Sequence, residues 1–397
     1  MAKGHPVVSF LLRAHLFVIG IGLLYGAIVL LVMTPFIQTH VVYAHRIDFF
    51  GYDGFEYPEN YGLAPGKTVN LKLRSSDNIT IGAWFIFADA FYHEHVPFPP
   101  PTSPTDKQAE IRSATTHKPT ILFLHGNTGT RALSLRIAVY TALTSRLDAN
   151  VLAIDYRGFG DSEGHPTVEG VSRDARAGWE YLLSQGAKPE DILIVGHSLG
   201  TAIAGLLSAE LGREGVEPRG LVLMSPFSSV RLLMDQYYLF GFLPLLKPLA
   251  MIPFAPRVLT WSVVHKFDTL TLVPNIKCSV LIAHAEDDWD IQHAHSSVIF
   301  NAFLDRYLSP LPDSPHITPL HLLTHAHDWD TITARQAARA DQRAALVTRT
   351  DVHNFGTLHE FDNGKRRIAL LKTMRGNHDI GRVEGVQDVI GRMFGLL

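Results

Sequence analysis

The chain has 397 residues, of which 46% are hydrophobic, and its formal net charge is −3. This length allows one large α/β domain with additional segments, or two ordinary domains. The near-neutral charge and the lack of a Lys/Arg cluster in the sequence argue against a nucleic-acid partner. The single cysteine, Cys278, excludes an intrachain disulfide bond, and its apolar neighbours predict a buried core residue rather than a nucleophile.

An apolar segment near the N-terminus predicts a membrane anchor. Residues 14–45 contain no Asp, Glu, Lys or Arg, and residues 16–33 are uniformly apolar. A helix of about 18 or more such residues spans a bilayer, whereas a cleaved signal peptide has a shorter apolar core. We therefore expect a short tail over residues 1–13 and a retained single-pass anchor over residues 14–36.

The charges that flank the anchor favour one orientation. Lys3 and Arg13 precede the apolar segment, and Arg46 follows it. Because positive charge is retained on the cytosolic side, we expect a short cytosolic N-terminus and a lumenal or extracellular remainder of the chain. The sequon Asn78-Ile79-Thr80 would then be available for glycosylation.

The remainder, residues 48–397, is expected to form one α/β domain. Residues 48–94 are expected to be β-rich, and within them residues 68–87 alternate apolar and polar positions around a break at residues 75–78, which is typical of a β-hairpin. Residues 96–105 are proline-rich and predict an exposed loop.

Strand and helix patterns then alternate. The strand patterns cover residues 120–126, 150–164, 192–198, 220–227 and 279–288, and the helical patterns cover residues 131–147, 168–185 and 199–211. This alternation predicts right-handed βαβ units and a mostly parallel sheet with helices on both faces. Functional sites of such sheets form at the carboxyl ends of the strands, where this sequence has polar and glycine residues.

The motif Gly196-His197-Ser198-Leu199-Gly200 joins a strand to a helix and predicts a catalytic nucleophile. A very tight turn at this junction strains the backbone of Ser198 and lifts its hydroxyl above the sheet. Glycine is needed at both 196 and 200 because a side chain there would clash with the neighbouring strand and helix. The strand before the motif and the helix after it make this prediction specific.

A serine nucleophile needs two backbone donors that stabilise an oxyanion. The N–H of Leu199 begins the helix after the nucleophile and is the first candidate. The second should come from the loop after an earlier strand, where the sequence reads His125-Gly126-Asn127. We therefore predict that the backbone N–H of Asn127 completes the oxyanion hole.

Residues 228–267 lie at the position of a cap over the active site. The segment is apolar, carries few charges and is interrupted by four prolines, so it does not read as a membrane-spanning helix. It predicts either a hydrophobic surface that admits an acyl chain from a membrane or the ordinary core of a helical cap.

The acid of a Ser-His-Asp triad should follow a late strand, and the base should follow the last one. Residues 279–291 offer Asp287, Asp288 and Asp290, of which we choose Asp288 with Asp287 second; the alternative is that these acids only solvate a loop. His378 lies between a terminal strand pattern and a terminal amphipathic helix, so it is the predicted base.

An insertion of roughly residues 309–356 separates the predicted acid from the base. A loop of this length is either functional or disordered. His325, His327 and Asp330 have a faint metal-ligand pattern that no further residue completes, so we predict no metal and expect a polar, partly helical lid or an exposed excursion.

The motifs FLHGN, DYRGFGDSEG, GHSLG, SPFSS, LIAHAEDDWDI and GNHD resemble the α/β-hydrolase superfamily over residues 118–300 and 365–397. With the anchor, the chain is similar to the membrane-bound branch of that superfamily that acts on lysophosphatidylserine and monoacylglycerol. The resemblance implies a Ser198–His378–Asp288 triad and an endoplasmic reticulum enzyme that needs no cofactor. The insertion between acid and base departs from the family pattern.

We therefore expect a membrane-anchored serine hydrolase that cleaves carboxylic esters of lipids. Its partners would be a lipid substrate and the bilayer, and no obligate protein partner is evident. One alternative is an acyl-protein thioesterase, although the N-terminus lacks the cysteines by which soluble depalmitoylases attach to membranes. Another is a catalytically inactive, membrane-tethered binding protein, which the completeness of the motifs disfavours.

Overall fold

The computed structural model describes residues 6–47, 54–100, 106–236, 254–310 and 326–397. The strands are β1 (Thr68–Arg74), β2 (Thr80–Ile86), β3 (Thr120–Leu124), β4 (Asn150–Ile154), β5 (Ile192–His197), β6 (Gly220–Met224), β7 (Val280–Ala285), β8 (Thr348–Val352), β9 (Gly356–Asp362) and β10 (Arg367–Thr373). The α-helices are α1 (Pro6–Val32), α2 (Pro35–Tyr43), α3 (Asp89–His95), α4 (Lys107–His117), α5 (Ser134–Arg146), α6 (Val168–Ser184), α7 (Leu199–Glu214), α8 (Val230–Gln236), α9 (Ala255–Ser262), α10 (Thr269–Leu272), α11 (Ala294–Leu304), α12 (Ala326–Leu346) and α13 (Glu384–Phe394).

One ten-stranded sheet has the order β1-β2-β4-β3-β5-β6-β7-β10-β9-β8. The strands from β4 to β10 in this order are parallel to one another, while the hairpins at the two edges pair antiparallel. The predicted α/β-hydrolase fold, a mostly parallel sheet with helices on both faces, is therefore confirmed.

Successive residues of the central strands pack into different layers. On β3, Leu122 and Leu124 face the layer that contains α6, α7 and α11, whereas Ile121 and Phe123 face the layer that contains α5 and α13. Because both faces are covered, the central strands are continuous apolar runs rather than alternating ones. This double burial fixes the positions of the loops at the carboxyl edge.

The first hairpin agrees with the sequence pattern, but the segment after it does not. β2 ends at Ile86, and residues 89–95 form helix α3, although we expected a β-rich segment as far as residue 94. Helix α4 was also not expected. Its N-cap is Asp106, whose carboxylate accepts the N–H of Ala109.

Part of the predicted insertion extends the sheet. β8 and β9 form a hairpin beside β10, with Gly356 opposite Thr373. β8 is the exposed edge strand, and its polar side chains suit that position. Residues 348–352 of the predicted insertion therefore form an exposed edge strand, and the role of the insertion stays a prediction. Helix α12 precedes the hairpin, and residues 311–325 lie outside the described residues.

The apolar N-terminal segment is one helix, α1, that begins before residue 14 and ends at Val32. Its residues Ser9–Val32 are long and apolar enough to cross a membrane, by length and composition alone. Pro35 occupies the first turn of a separate helix, α2, so the apolar helix ends before the expected boundary at residue 36.

Candidate active site

Ser198 occupies a strained turn between β5 and α7. Its φ of 52° and ψ of −120° lie outside the regions that most residues adopt, and its side chain is buried. A Cβ on Gly196 would lie 2.4 Å from the Gly200 carbonyl oxygen, and a Cβ on Gly200 would lie 2.0 Å from that of Leu124. Only glycine therefore fits at either position.

The structure brings His378 together with Asp288. Nδ1 of His378 lies 2.8 Å from Oδ2 of Asp288. The other oxygen of Asp288 accepts the backbone N–H groups of Asp290 and Ile291, at 2.9 and 3.0 Å. Asp287 instead accepts the N–H of Asn377 at 2.8 Å. Of the two adjacent acids, the carboxylate that contacts the histidine belongs to Asp288.

A second histidine, which the sequence analysis did not identify, contacts the same carboxylate. Nε2 of His284 lies 3.1 Å from Oδ2 of Asp288 and 2.9 Å from the Ile291 carbonyl oxygen. Nδ1 of His284 lies 2.6 Å from Oγ of Ser296. Because both neighbours of Nε2 are acceptors, the proton is on Nε2 and the Ser296 hydroxyl donates to Nδ1. The available signal was a histidine four residues before Asp288 on an otherwise apolar strand.

Burial and hydrogen bonding shift the pKa values of Asp288 and His378 in opposite directions. Burial alone raises the pKa of Asp288, but hydrogen bonds from His284 and His378 outweigh it and hold that pKa well below the usual range. Burial alone lowers the pKa of His378, but the hydrogen bond and charge of Asp288 outweigh it, so the pKa of His378 is raised. The pair therefore favours a carboxylate beside an imidazole that accepts a proton readily.

The backbone of His378 is held by two side chains. Its carbonyl oxygen lies 2.9 Å from Nε2 of His197 and accepts the hydroxyl of Ser225 at the same distance. Burial, followed by repulsion from His378, lowers the pKa of His197 to about 3. His197 therefore remains neutral and donates from Nε2.

The free nitrogen of His378 faces a second acid. Nε2 lies 3.6 Å from Oδ2 of Asp290, which is partly exposed. In the part of the chain that the structure describes, the Ser198 hydroxyl and His378 share no hydrogen bond, although both side chains line one cavity. Catalytic hydrogen bonds are often long or poorly aligned when no substrate is bound.

Of the two predicted oxyanion donors, Asn127 lines this cavity, and Leu199 directly follows Ser198, which also lines it. Leu199 is the first residue of α7, so its N–H has no intrahelical acceptor. Asn127 lines the cavity beside Gly126, where an added Cβ would lie 3.0 Å from Cβ of Ser198. The wall of the cavity has an apolar part, formed by Phe123, Leu133, Leu135, Val139 and Met224, and a polar part that includes Arg136, His197 and Asp379. An apolar group would therefore be accommodated next to the serine.

The described residues contain no cluster of three or more His, Cys, Asp or Glu side chains that could hold a metal. Of the faint metal pattern, His325 lies outside the described residues, and the side chains of His327 and Asp330 are likewise not described. The middle of the predicted cap, residues 237–253, also lies outside the described residues.

The end of the apolar helix is tied to the end of the cap by one side chain. Nε2 of Gln38, on α2, donates to the carbonyl oxygens of Met33 and Ser262 at 3.2 and 2.9 Å. Oε1 of Gln38 accepts the N–H of Val264 at 2.8 Å. The segment that follows α9 therefore lies beside the point where the apolar helix ends.

Comparison with known proteins gives one consistent assignment. The profile of the α/β hydrolase family matches residues 121–363. Lysophosphatidylserine lipase ABHD12 of Xenopus tropicalis is 32% identical over 281 residues, which cover 70% of this chain and 68% of that protein. The Danio rerio protein of the same name is 31% identical over 275 residues, covering 68% of this chain and 66% of the relative.

The chain thus spans about two thirds of the length of these relatives. Among solved structures, an α/β hydrolase from Vibrio vulnificus superposes with a TM-score of 0.50 and 16% identity, covering 76% of this chain and 94% of that one. This likeness concerns the fold alone. From the profile match and the sequence relatives together, this chain belongs to the α/β hydrolase family.

Proposed function

We propose that this protein is a membrane-anchored serine hydrolase that cleaves carboxylic esters of lipids. The observation that carries the proposal is the 2.8 Å contact between His378 and Asp288 at the cavity that Ser198 also lines. The strained turn at Ser198 and its two flanking glycines support the role of nucleophile.

The reaction would proceed in two halves. Ser198 Oγ attacks the ester carbonyl carbon, and its proton passes to Nε2 of His378 while Asp288 stabilises the imidazolium. The N–H groups of Asn127 and Leu199 hold the resulting oxyanion. The protonated His378 then gives its proton to the departing alcohol, which leaves an acyl-enzyme.

Water completes the cycle by the same route. His378 takes a proton from a water molecule, which attacks the acyl carbon and forms a second oxyanion. Collapse of this intermediate returns the proton to Ser198 and releases the fatty acid. No cofactor is needed for these steps.

Two observations support a lipid as substrate. The relatives described above are named lysophosphatidylserine lipases, and the cavity beside Ser198 has an apolar wall. We propose lysophospholipids and monoacylglycerols as the substrate class.

We also propose that the anchor holds the cap at the bilayer surface. Gln38 ties the end of the apolar helix to the segment after α9. Trp261, in α9, is 83% exposed, and Phe36, in α2, is 65% exposed. Exposed aromatic side chains next to a membrane span are typical of the interface between lipid and water. An acyl chain could then pass from the lipid to the cavity.

The test of the chemistry uses the full-length protein in detergent or vesicles. A fluorophosphonate probe should label the wild type, and Ser198→Ala should abolish both labelling and ester hydrolysis. Purified wild type is then compared on lysophosphatidylserine, monoacylglycerol and a palmitoyl thioester. A clear preference for the thioester would favour the depalmitoylase alternative, and failure of the wild type to label or hydrolyse would favour the inactive binding protein.

We further propose the endoplasmic reticulum membrane as the location, with the catalytic domain in the lumen. The test is the sequon at Asn78, which is exposed on the turn between β1 and β2. Expressed in cells, the wild type should show a glycosidase-sensitive increase in mass that Asn78→Gln removes. A wild type without that increase contradicts the lumenal orientation while leaving the hydrolase proposal intact.

A further inference from the structure

The loop that carries Asn127 curls around one buried guanidinium. Nη2 of Arg136 donates to the carbonyl oxygens of Gly126, Asn127 and Thr128, at 3.1, 3.1 and 2.6 Å. Nη1 of Arg136 donates to the carbonyl oxygen of Thr130 at 2.7 Å. One side chain therefore binds four carbonyl groups of the same loop.

This bonding fixes the direction of the N–H groups, because the C=O and N–H of a trans peptide unit point in opposite directions. The carbonyls of Asn127 and Thr128 face Arg136, and the N–H groups of the same two units point away from it. The N–H of Thr128 donates to the Tyr43 carbonyl oxygen at 3.0 Å, and that of Gly129 donates to Ile47 at 3.4 Å. In both peptide units the N–H group therefore points away from Arg136, opposite to the carbonyl.

The peptide unit that joins Gly126 to Asn127 differs from the other two because its N–H group has no acceptor in the described part of the chain. Its carbonyl, from Gly126, also faces Arg136 and lies 2.7 Å from Nδ1 of His125. Its N–H, from Asn127, has no acceptor among the residues that the structure describes. Gly126 lies against Ser198, since a Cβ added to it would lie 3.0 Å from Cβ of Ser198, and Asn127 lines the same cavity as Ser198.

Arg136 lies where a positive charge is electrostatically unfavourable, and its hydrogen bonds to the loop carbonyls give a reason for a cation at this position. The residue is buried in the first turn of α5, where the helix dipole disfavours a cation. In the described part of the chain no carboxylate lies within ion-pair distance of Arg136, although the charges of Asp155 and Asp379 act on it from further away. Burial lowers the pKa of Arg136. A buried cation bonded only to neutral carbonyls suits a role in shaping the loop, since an apolar side chain would serve packing alone.

We infer that Arg136 is a positioning residue that holds the backbone of residues 126–130 so that the N–H of Asn127 points at the oxyanion. This inference rests on the proposed hydrolase function of Ser198. It assigns a role in catalysis to a side chain that transfers no proton and forms no bond to the substrate.

The test compares Arg136→Met and Arg136→Lys with the wild type. Lysine retains the charge but replaces a planar fork with a single ammonium, which cannot bind four carbonyls at once. Arg146→Met is the matched control, because Arg146 lies on the same helix but pairs with Glu384 and Asp388 near the surface. Hydrolysis of a water-soluble p-nitrophenyl ester is normalised to active sites by the burst of p-nitrophenol.

We expect kcat per active site to fall about 30-fold or more in Arg136→Met and about 10-fold in Arg136→Lys, with KM nearly unchanged, because loss of one oxyanion donor typically costs about 10²–10³ in kcat. The inhibition constant of an alkyl trifluoromethyl ketone, which forms a tetrahedral oxyanion on the serine, should rise by the same factor as kcat/KM falls. Arg146→Met should match the wild type in both measurements.

The possible results for the Arg136 variants distinguish whether Arg136 positions the oxyanion donor. If Arg136→Met does not fold, Arg136→Lys alone carries the test. Wild-type kcat in a folded Arg136 variant overturns the inference, and so does a kcat loss that the ketone inhibitor does not follow. A wild type with no burst and no probe labelling overturns the proposed function and this inference together, whereas an active wild type with unaffected variants overturns only the role of Arg136.

Discussion

Nε2 of His284 lies 3.1 Å from Oδ2 of Asp288, the same oxygen that faces His378. His284 is fully buried on β7 and is itself held by Ser296. The carboxylate is thus fixed from the interior of the sheet as well as from the loop, which restricts its rotation. Orientation of Asp288 in turn sets the orientation of His378.

We predict that His284→Leu lowers kcat by about 10-fold, because a hydrogen bond to a charged group is worth about 1.5–3 kcal/mol. His284→Gln should remain within about threefold of the wild type, since its amide can donate to Asp288 as Nε2 does. Steady-state hydrolysis of a soluble ester checks both variants. Equal losses in the two variants would indicate that packing, rather than the hydrogen bond, is what His284 supplies.

Asp288→Asn should lower kcat by about 10³–10⁴, as removal of the triad acid does elsewhere. Asp287→Asn is the matched control, because that carboxylate binds the backbone of Asn377 and does not contact His378. We expect less than a threefold change in the control, on the same ester. A larger loss in Asp287→Asn than in Asp288→Asn would reverse the assignment of the acid.

The pH profile provides an independent check on the same pair. The proposed mechanism requires neutral His378, and Asp288 raises the pKa of His378. The acid limb of kcat/KM in the wild type should therefore report this raised pKa. In the residual activity of Asp288→Asn the acid limb should move to lower pH, because the carboxylate that favours the imidazolium is gone. A limb that moves to higher pH contradicts this account.

Gly200→Ala should abolish activity and lower the melting temperature, because the new methyl group would lie 2.0 Å from the Leu124 carbonyl oxygen. The control is Gly205→Ala on the same helix, where the nearest atom is the tip of Leu272 at 3.3 Å. That flexible side chain can move, so activity and melting temperature should change little. Thermal denaturation and probe labelling of Ser198 measure both effects.

Gln38→Leu should lower the hydrolysis of a lipid in a membrane but not the hydrolysis of a soluble ester. It removes the hydrogen bonds that tie the end of the apolar helix to Ser262 and Val264. We expect hydrolysis of lysophospholipid in vesicles to fall about three- to tenfold, in keeping with the loss of hydrogen bonds worth about 1 kcal/mol each. Hydrolysis of a soluble ester should be retained.

The control for this experiment is Gln108→Leu, at a surface position where Gln108 contacts Tyr181. It should behave as the wild type on both substrates. If Gln38→Leu lowers both activities equally, the link supports the active site as a whole rather than access from the membrane.

The sequence was most informative where function depends on adjacent residues. The turn at Ser198 was predictable because strand, glycines, serine and helix are consecutive, and the steric reason for each glycine is local. The roles of Arg136 and His284 were not predictable, since each depends on contacts across the fold. The loop whose four carbonyls meet Arg136 also contains two left-handed residues, Thr128 and Gly129, with φ of 61° and 62°.

The sequence pattern also did not predict the edge strand β8. β8 is exposed along its whole length, so it has no buried face to produce an apolar alternation. Helix α4 was missed for a related reason, because only a minority of its residues are buried. Elements that bury little surface leave little signal in the spacing of apolar residues.

The carbonyl of Tyr43 has a practical consequence for any soluble version of this enzyme. Cutting the chain at the start of the globular domain, near residue 48, would remove the acceptors that Tyr43 and Ile47 provide for the loop beside Ser198. A polypeptide that starts at Pro35 would lack the apolar helix α1 but would keep the carbonyl groups of Tyr43 and Ile47. The boundary between the apolar helix and the globular domain therefore lies ahead of α2, and α2 supports the loop beside Ser198.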